Sequence, residues 1–284
     1  AATGARPRVL LRITPGVEAH THEFVATGQD DSKFGFTVSS GLALAAVERA
    51  VMAESVELVG LHAHIGSQVF EVGAFARAVE VLADFAAPFG LPELSVGGGL
   101  GVPYVEGESA PTLTEWAAGI RAVCDAAGVT AHVSAEPGRA IVGRAGITLY
   151  EVGTVKKVKL DHGERTYVSV DGGMSDNIRT SLYGAQYSVA LVSRNSSSEP
   201  VLCRVVGKHC ESGDIVVRDA WLPGDITPGD LIAVAATGAY CRSMASNYNQ
   251  VPRPPVVSVR EGASQLVLRR ETFDDLLALD PFAG

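Results

Sequence analysis

Basic residues, cysteines, aromatics and long apolar runs are all scarce in this chain, and each scarcity excludes a class of function. The 284 residues carry 23 Lys and Arg against 32 Asp and Glu, a formal net charge of −9, and no Lys/Arg run exceeds a pair. That balance is the reverse of the basic footprint with which proteins grip nucleic acid or anionic membranes, so a small-molecule partner is expected. The four cysteines, Cys124, Cys203, Cys210 and Cys241, form no CxxC pair and are too sparse for a disulfide scaffold, which fits a reducing compartment and predicts a cytoplasmic protein. No stretch approaches the ~20 apolar residues of a bilayer span, and the opening AATGARPRVLLRITPG lacks the features of a signal peptide. What the chain does have is apolar mass: 46% of residues are hydrophobic and 19% charged, against about 25% charged in typical domains. Its length is room for about two domains.

The first half alternates two kinds of segment. Arg8 to Ile13, Glu57 to Ile65, Glu93 to Val96 and Ala131 to Glu136 are short, β-rich and bounded by Gly or Pro, and read as strands. Between them, Gly41 to Ala53, Gly73 to Phe89 and Leu113 to Gly128 space their apolar residues three and four apart and read as helices, with Thr112 and Thr114 near one start. This order predicts βαβ units on a parallel sheet. After Gly138 the pattern turns to strands alone: Ile147 to Val158, Glu164 to Asp171, Pro200 to Lys208, Ile215 to Leu222 and Leu231 to Ala235. Turn chemistry such as Asp161-His162-Gly163 and Thr227-Pro228-Gly229-Asp230 separates them. A polar loop, Ser193 to Glu199, a further strand, Ser264 to Arg269, and a short acidic helix, Phe273 to Leu279, complete the reading. Four strand–helix units cannot close a (β/α)8 barrel, which needs eight strands and ~250 residues. Either the sheet is open, as in a small doubly wound domain, or the chain begins in the middle of a barrel.

Each strand of the first half runs into a polar or glycine cluster, the place where a barrel keeps its chemistry. His62 and His64, two apart, would share a strand face. One reading is a pair of structural histidines. The sharper one is a zinc site, for which His20 and His22 offer a second His-x-His but no HExxH or Cys pair gives support. Gly97-Gly98-Gly99-Leu100-Gly101 lets backbone N–H groups approach an anion, yet it has neither GxGxxG spacing nor a P-loop lysine. That leaves a phosphate monoester, with Ser67 as a hydroxyl donor. Glu136, before Pro137 and Gly138, sits at a strand end with Arg139 close behind, and the two could be no more than an ion pair across a turn. Cys210, beside His209 and Glu211 in a glycine-flanked loop, is either a tuned thiol or an inert one, whereas the other three cysteines lie in apolar or helical runs.

Taken together, HIGSQ, SVGGGLG, AEPGR, VDGGMSDNIRTSLYGA, GKHCESGD and GAYCRSMASNYN resemble the diaminopimelate decarboxylases over nearly the whole chain. These are pyridoxal-phosphate enzymes of the alanine-racemase-like barrel class, related to ornithine and arginine decarboxylases. The resemblance implies an α/β plus all-β fold: the C-terminal half of a (β/α)8 TIM-like barrel over residues 1–143, then a β-sandwich or Greek-key-like domain with a terminal helix over 144–284. It implies that His64 stacks on the ring of pyridoxal 5'-phosphate, that Ser67, Gly98 and Gly99 hold the phosphate with Arg139 and its neighbours Pro137 and Gly138, and that Glu136 pairs with the ring nitrogen. Alanine racemases place an Arg there. Arg179 and Tyr183, with Arg139, would hold the distal end of meso-diaminopimelate, an arrangement suited to Arg's two parallel donors. Glu211 would take the distal ammonium, Cys210 would return a proton to the α-carbon, and Tyr240 would lie against cofactor and substrate. Cys210 and Glu211 would reach the site of a second subunit, so a homodimer with shared sites is implied.

One component of that family is missing. Its Schiff-base lysine lies upstream of every motif quoted, and the lysines here are Lys33, Lys156, Lys157, Lys159 and Lys208, none of which matches it. The expectation is a chain that lacks roughly half the barrel and does not turn over substrate alone. Three other readings compete: a related basic amino-acid decarboxylase of the ornithine or arginine type; a non-catalytic binding subunit, against which the joint retention of His64, Glu136 and Cys210 argues; and a zinc hydrolase using His62, His64 and His132.

Overall fold

A computed structural model describes residues 4–17, 32–161 and 163–282. The sequence-level candidates His20 and His22, and the His162 turn, lie outside the described residues. The chain divides into two units, residues 1–103 with 108–143 and residues 104–107 with 144–284.

The first unit runs β1 (Arg8–Thr14), β2 (Phe36–Thr37), α1 (Leu42–Met52), β3 (Glu57–His62), α2 (Val72–Ala86), β4 (Glu93–Ser95), α3 (Leu113–Ala126), β5 (His132–Ser134) and α4 (Gly138–Val142). All neighbouring strands are parallel, in the order β2-β1-β3-β4-β5. Alternation along the strands sends Ile13, Leu61 and Leu94 toward Ala43 and Val47 of α1 and Leu82 of α2, all fully buried. Burying each large side chain contributes roughly 1.5–3 kcal/mol. A second cluster seats Phe75 of α2 edge-on against Trp116 of α3, ring centroids 5.6 Å apart. Helix α3 starts where the sequence indicates, because Thr112 and Glu115 form a reciprocal capping box. The residues between the apolar ones, Arg12, His62, Ser95, His132 and Ser134, are polar, and in register His62 stands beside Ser95 and Ser95 beside Ser134.

The second unit holds β6 (Thr148–Leu160), β7 (Gly163–Val170), α5 (Arg179–Tyr183), β8 (Val189–Leu191), β9 (Pro200–Val206), β10 (Ile215–Pro223), β11 (Leu231–Val234), β12 (Val256–Arg260), β13 (Ala263–Leu268) and α6 (Phe273–Leu277). Strands β6 to β11 make one six-stranded sheet in the order β10-β9-β7-β6-β11-β8, antiparallel except for the β7–β9 pair. The end strands β8 and β10 also lie against each other, so the sheet curls around one core. Period-two burial builds that core from Tyr150 and Val152, Val168 and Val170, Cys203 and Val205, and Ile232 and Val234. Strands β12 and β13 form a separate hairpin. The loop from Ser193 is tied down by Arg194, which forks onto both oxygens of buried Asp230 at 2.8 Å and also reaches Asp225.

Several sequence-level boundaries move by a few residues, β5 for example shrinking to His132–Ser134 so that Glu136 lies in the turn beyond it, and two of the shifts concern the site and the units. Tyr104 to Gly107, placed by the sequence in the first half, belong to the second unit: the Tyr104 ring packs edge-on against Tyr187 at 5.3 Å and the Tyr104 carbonyl accepts from the Ser188 N–H. The second barrel strand ends at His62 rather than Ile65, which leaves His64 in the turn beyond it. No helix among the described residues is long and apolar enough to cross a membrane.

Candidate active site

In the first unit the turns after β3, β4 and β5 meet. Gly97, Gly98 and Gly99 thread between two neighbouring backbones. A Cβ on Gly97 would stand 2.2 Å from the Ala63 carbonyl oxygen, one on Gly98 1.9 Å from that of Glu136, and one on Gly99 2.1 Å from that of Gly66. Gly97 (φ 69°) and Gly99 (φ 107°) also occupy backbone conformations that side chains disfavour. The glycines are therefore required first by close packing of strand ends, and any anion cradle is built on that packing. The turn is held by the Glu136 N–H donating to the Gly97 carbonyl at 2.7 Å and the Val69 N–H donating to that of Gly99 at 2.9 Å.

Around it the charged groups are arrayed. The Gly98 N–H donates to His64 Nδ1 at 3.1 Å, so this nitrogen carries no proton and the ring is the neutral Nε2–H form. Burial, then Arg12 and His62, push the His64 pKa down, with Glu136 opposing. The Glu136 carboxylate, 55% exposed, uses one oxygen, Oε1, for two contacts: it accepts from Ser95 Oγ at 2.9 Å and lies 3.2 Å from His62 Nε2. Arg139, at the start of α4, is buried and donates to Ser67 Oγ at 2.8 Å. Glu136 thus meets Ser95 and His62, and Arg139 meets Ser67. Gln68, in left-handed backbone (φ 62°), is fixed by its amide bonding both N–H and carbonyl of Val102.

The second unit carries the remaining sequence-predicted residues. Arg179 and Tyr183 open and close α5. That short helix is pinned by Thr180 and Ser181, whose hydroxyls donate to the carbonyls of Val216 and Gly213. Arg179 is buried, with its guanidinium 4.4 Å over the Tyr104 ring and Nη1 donating to Tyr187 Oη at 2.5 Å. Cys210 and Glu211 are exposed on the loop between β9 and β10. Two residues that the sequence reading left without a role meet them: Tyr248 donates to Glu211 Oε1 at 2.5 Å, and Asn249 Nδ2 lies 3.6 Å from Cys210 Sγ. Their signal was inside the quoted GAYCRSMASNYN run. Tyr240 is exposed and has φ 60°, a rare conformation for an aromatic residue and one concentrated at functional sites. Burial raises the thiol pKa of Cys124 and Cys203, in keeping with inert roles.

A parallel sheet whose strand ends hold a glycine turn, an Arg–Ser pair and an exposed carboxylate, followed in the chain by a β domain with an exposed Cys-Glu loop, places the chain in the barrel-plus-β-domain class. The sequence profile of the pyridoxal-dependent decarboxylase pyridoxal-binding domain matches residues 1–143, and the chain belongs to that family. Over 96% of its length it is 55% identical to the diaminopimelate decarboxylase of Mycobacterium tuberculosis, and over 99% it is 50% identical to that of Corynebacterium efficiens. In both cases it spans 64% of the relative. Among solved structures, diaminopimelate decarboxylase from Helicobacter pylori complexed with L-lysine superposes with a TM-score of 0.86 at 35% identity, covering 98% of this chain and 68% of that one. The M. jannaschii enzyme gives 0.88 at 32% identity, with 98% and 64% covered. These likenesses agree with the half-barrel and β-domain architecture.

Proposed function

We propose that this chain is the part of a cytoplasmic diaminopimelate decarboxylase that cradles pyridoxal 5'-phosphate and presents the proton donor, in an enzyme converting meso-diaminopimelate to L-lysine and CO2. The observation that carries the reading is the complementary charge at the ends of β3 to β5. Arg139 with Ser67 suits a phosphate dianion, while Glu136 Oε2 makes no hydrogen bond among the described residues and suits the N–H of a protonated ring. Pyridoxal phosphate, when bound, supplies an electron sink for the pair left behind as CO2 departs. The chain's own residues do the rest. Neutral His64 offers an uncharged ring face, Glu136 keeps a proton on the ring nitrogen, Arg179 and Tyr183 with Arg139 hold the distal carboxylate, and Glu211 holds the distal ammonium. Cys210 delivers a proton to the α-carbon. Tyr240 lies against cofactor and substrate. The exposure of Cys210 and Glu211 supports their donation to a second copy in a homodimer.

None of the chain's five lysines matches the family's Schiff-base position. Lys33 sits with Nζ 5.1 Å over the Phe34 ring, and Lys156, Lys157, Lys159 and Lys208 belong to the second unit. The chain is therefore expected to hold the cofactor without a covalent bond. Borohydride treatment after incubation with pyridoxal 5'-phosphate should leave all five lysines unmodified by mass spectrometry, while Arg139→Ala weakens cofactor binding followed by absorbance. In the full-length enzyme that carries this segment, CO2 release should be fastest from meso-diaminopimelate and should collapse in Cys210→Ala. Faster release from ornithine or arginine would overturn the substrate, and full activity of Cys210→Ala would overturn the proton donor.

A further inference from the structure

The Cys210 loop is built around a buried acid that the preceding assignment does not use. Residues 207–214 form a closed turn: the Gly207 N–H donates to the Asp214 carbonyl at 3.0 Å and the Asp214 N–H to the Glu211 carbonyl at 3.0 Å. The Asp214 side chain folds back into the turn, 3% exposed, with Oδ2 accepting from the His209 N–H at 2.7 Å. Its other oxygen, Oδ1, accepts from the Met174 N–H at 2.6 Å, on the loop that follows β7. Both loops make room for it with glycine. A Cβ on Gly207 would stand 2.3 Å from Asp214 Oδ2, and one on Gly173 2.7 Å from Oδ1. Two further ties run in parallel, the Lys208 N–H to the Gly172 carbonyl at 3.0 Å and His209 Nε2 to Ser175 Oγ at 2.8 Å. The Ser246 N–H donates to the Ser175 carbonyl, which brings in the segment whose Tyr248 and Asn249 meet Glu211 and Cys210.

From this we infer that Asp214 is the positioning residue for Cys210 and Glu211: one buried carboxylate clamps the Asp171–Asn177 and Gly207–Asp214 loops together and so fixes the arch that presents the thiol. The inference rests on the reading of Cys210 as proton donor, but the geometry it describes can be measured without that chemistry. A carboxylate suits the role because it is acceptor-only on both oxygens, and both meet N–H donors. Asparagine has the same shape, yet must turn an NH2 toward one of those two N–H groups.

The test is Asp214→Asn in this chain, with Asp230→Asn as a control for loss of a buried acceptor elsewhere in the same unit. Amide hydrogen exchange across residues 208–212 should quicken by about tenfold or more in Asp214→Asn, and the pH profile of iodoacetamide alkylation at Cys210 should shift. Asp230→Asn should alter neither. Should Asp214→Asn fail to fold, Ser175→Ala removes the parallel His209 tie and should give the same changes at smaller amplitude. In the full-length enzyme carrying this segment, Asp214→Asn should lower kcat by about 100-fold, the scale of an ångström's misplacement, with KM changed about twofold or less. Unchanged exchange and alkylation in a folded Asp214→Asn overturn the positioning role. Loosened residues 208–212 with unchanged kcat support it and instead overturn Cys210 as the proton donor.

Discussion

Gly98 and Gly138 are both implied as cofactor contacts, yet the structure gives them opposite steric limits, and replacing each by alanine separates packing from binding. At Gly98 the added methyl would lie 1.9 Å from the Glu136 carbonyl oxygen and 2.8 Å from its carbon. The obstacle is backbone, so no rotamer change relieves it, and the glycine turn and the Glu136 backbone must part by about an ångström or more. Overpacking a rigid site costs about 1–3 kcal/mol, and with backbone as the wall the upper end applies. At Gly138, at the first position of α4, nothing lies within 4 Å of the added methyl. Alanine is also the better helix former, so the change is expected within about 0.5 kcal/mol of neutral.

The two tryptophans allow a clean measurement. Trp116 is 3% exposed in the core of the first unit and Trp221 is 65% exposed in the second. A red shift of tryptophan emission on heating therefore reports the first unit. For a domain of this size about 3 kcal/mol corresponds to roughly 10 °C. Gly98→Ala should melt about that much lower and lose pyridoxal 5'-phosphate binding, whereas Gly138→Ala should melt within ~2 °C of the parent and lose affinity only if its N–H contacts phosphate. A Gly98→Ala protein melting within ~2 °C of the parent would refute the argument that close backbone approach, before any ligand, dictates the glycine run.

Four further outcomes follow from the same geometry. Arg194→Ala strips the bidentate partner from Asp230 and should lower the urea midpoint of the second unit; an unchanged midpoint would contradict it. Because His64 has a lowered folded pKa, the unfolded chain binds the extra proton, so stability of the first unit should fall as pH drops below about 6.5, and His64→Gln should flatten that slope. Asp230 and Glu271 are held down at about 2, the first chiefly by Arg194 and the second by the Arg253 N–H, so their contribution should persist above about pH 4 and disappear as pH falls toward 2, read as acid unfolding of the second unit. Iodoacetamide should label Cys210 alone of the four cysteines in the native chain, as peptide mapping would show; rapid labelling of Cys124, Cys203 or Cys241 would contradict their burial.

The long elements were legible because each carried a whole period. Helix α3 showed its cap at Thr112 and its apolar spacing through Cys124, and β6 and β7 alternated over enough residues to be read. Helices α4 and α5, five residues each, span barely one turn and leave no periodic trace. Strand β12 was hidden by Pro252, Pro254 and Pro255 just before it, and β8 by its three-residue length. In the site, residue types and turn chemistry marked His64, Glu136 and Cys210 as candidates with structural alternatives open, the family resemblance gave them roles, and neither pointed to their partners. Ser95 on Glu136, Gly98 on His64 and Asp214 inside the Cys210 loop are pairings across 34 to 41 residues or within a folded-back turn, which no local pattern records.

Glu136 shows how one position answers to two requirements. A carboxylate there matches a protonated ring nitrogen, which is the reason the family resemblance supplies. The chain's own charges ask for it independently. Glu136 stabilises the charged form of Arg12 and favours protonation of His64, and it lies 3.2 Å from His62 Nε2. Replacing it with the Arg of the racemases would set a cation beside His62 and among the neighbours Arg12 and His64, with only the Ser95 hydroxyl left as a neutral partner. The added cation would push His64 further toward neutrality and disfavour the new guanidinium. The exchange would therefore require a compensating change at Arg12, and the acid answers to the Arg12 cation as well as to the cofactor it is proposed to meet.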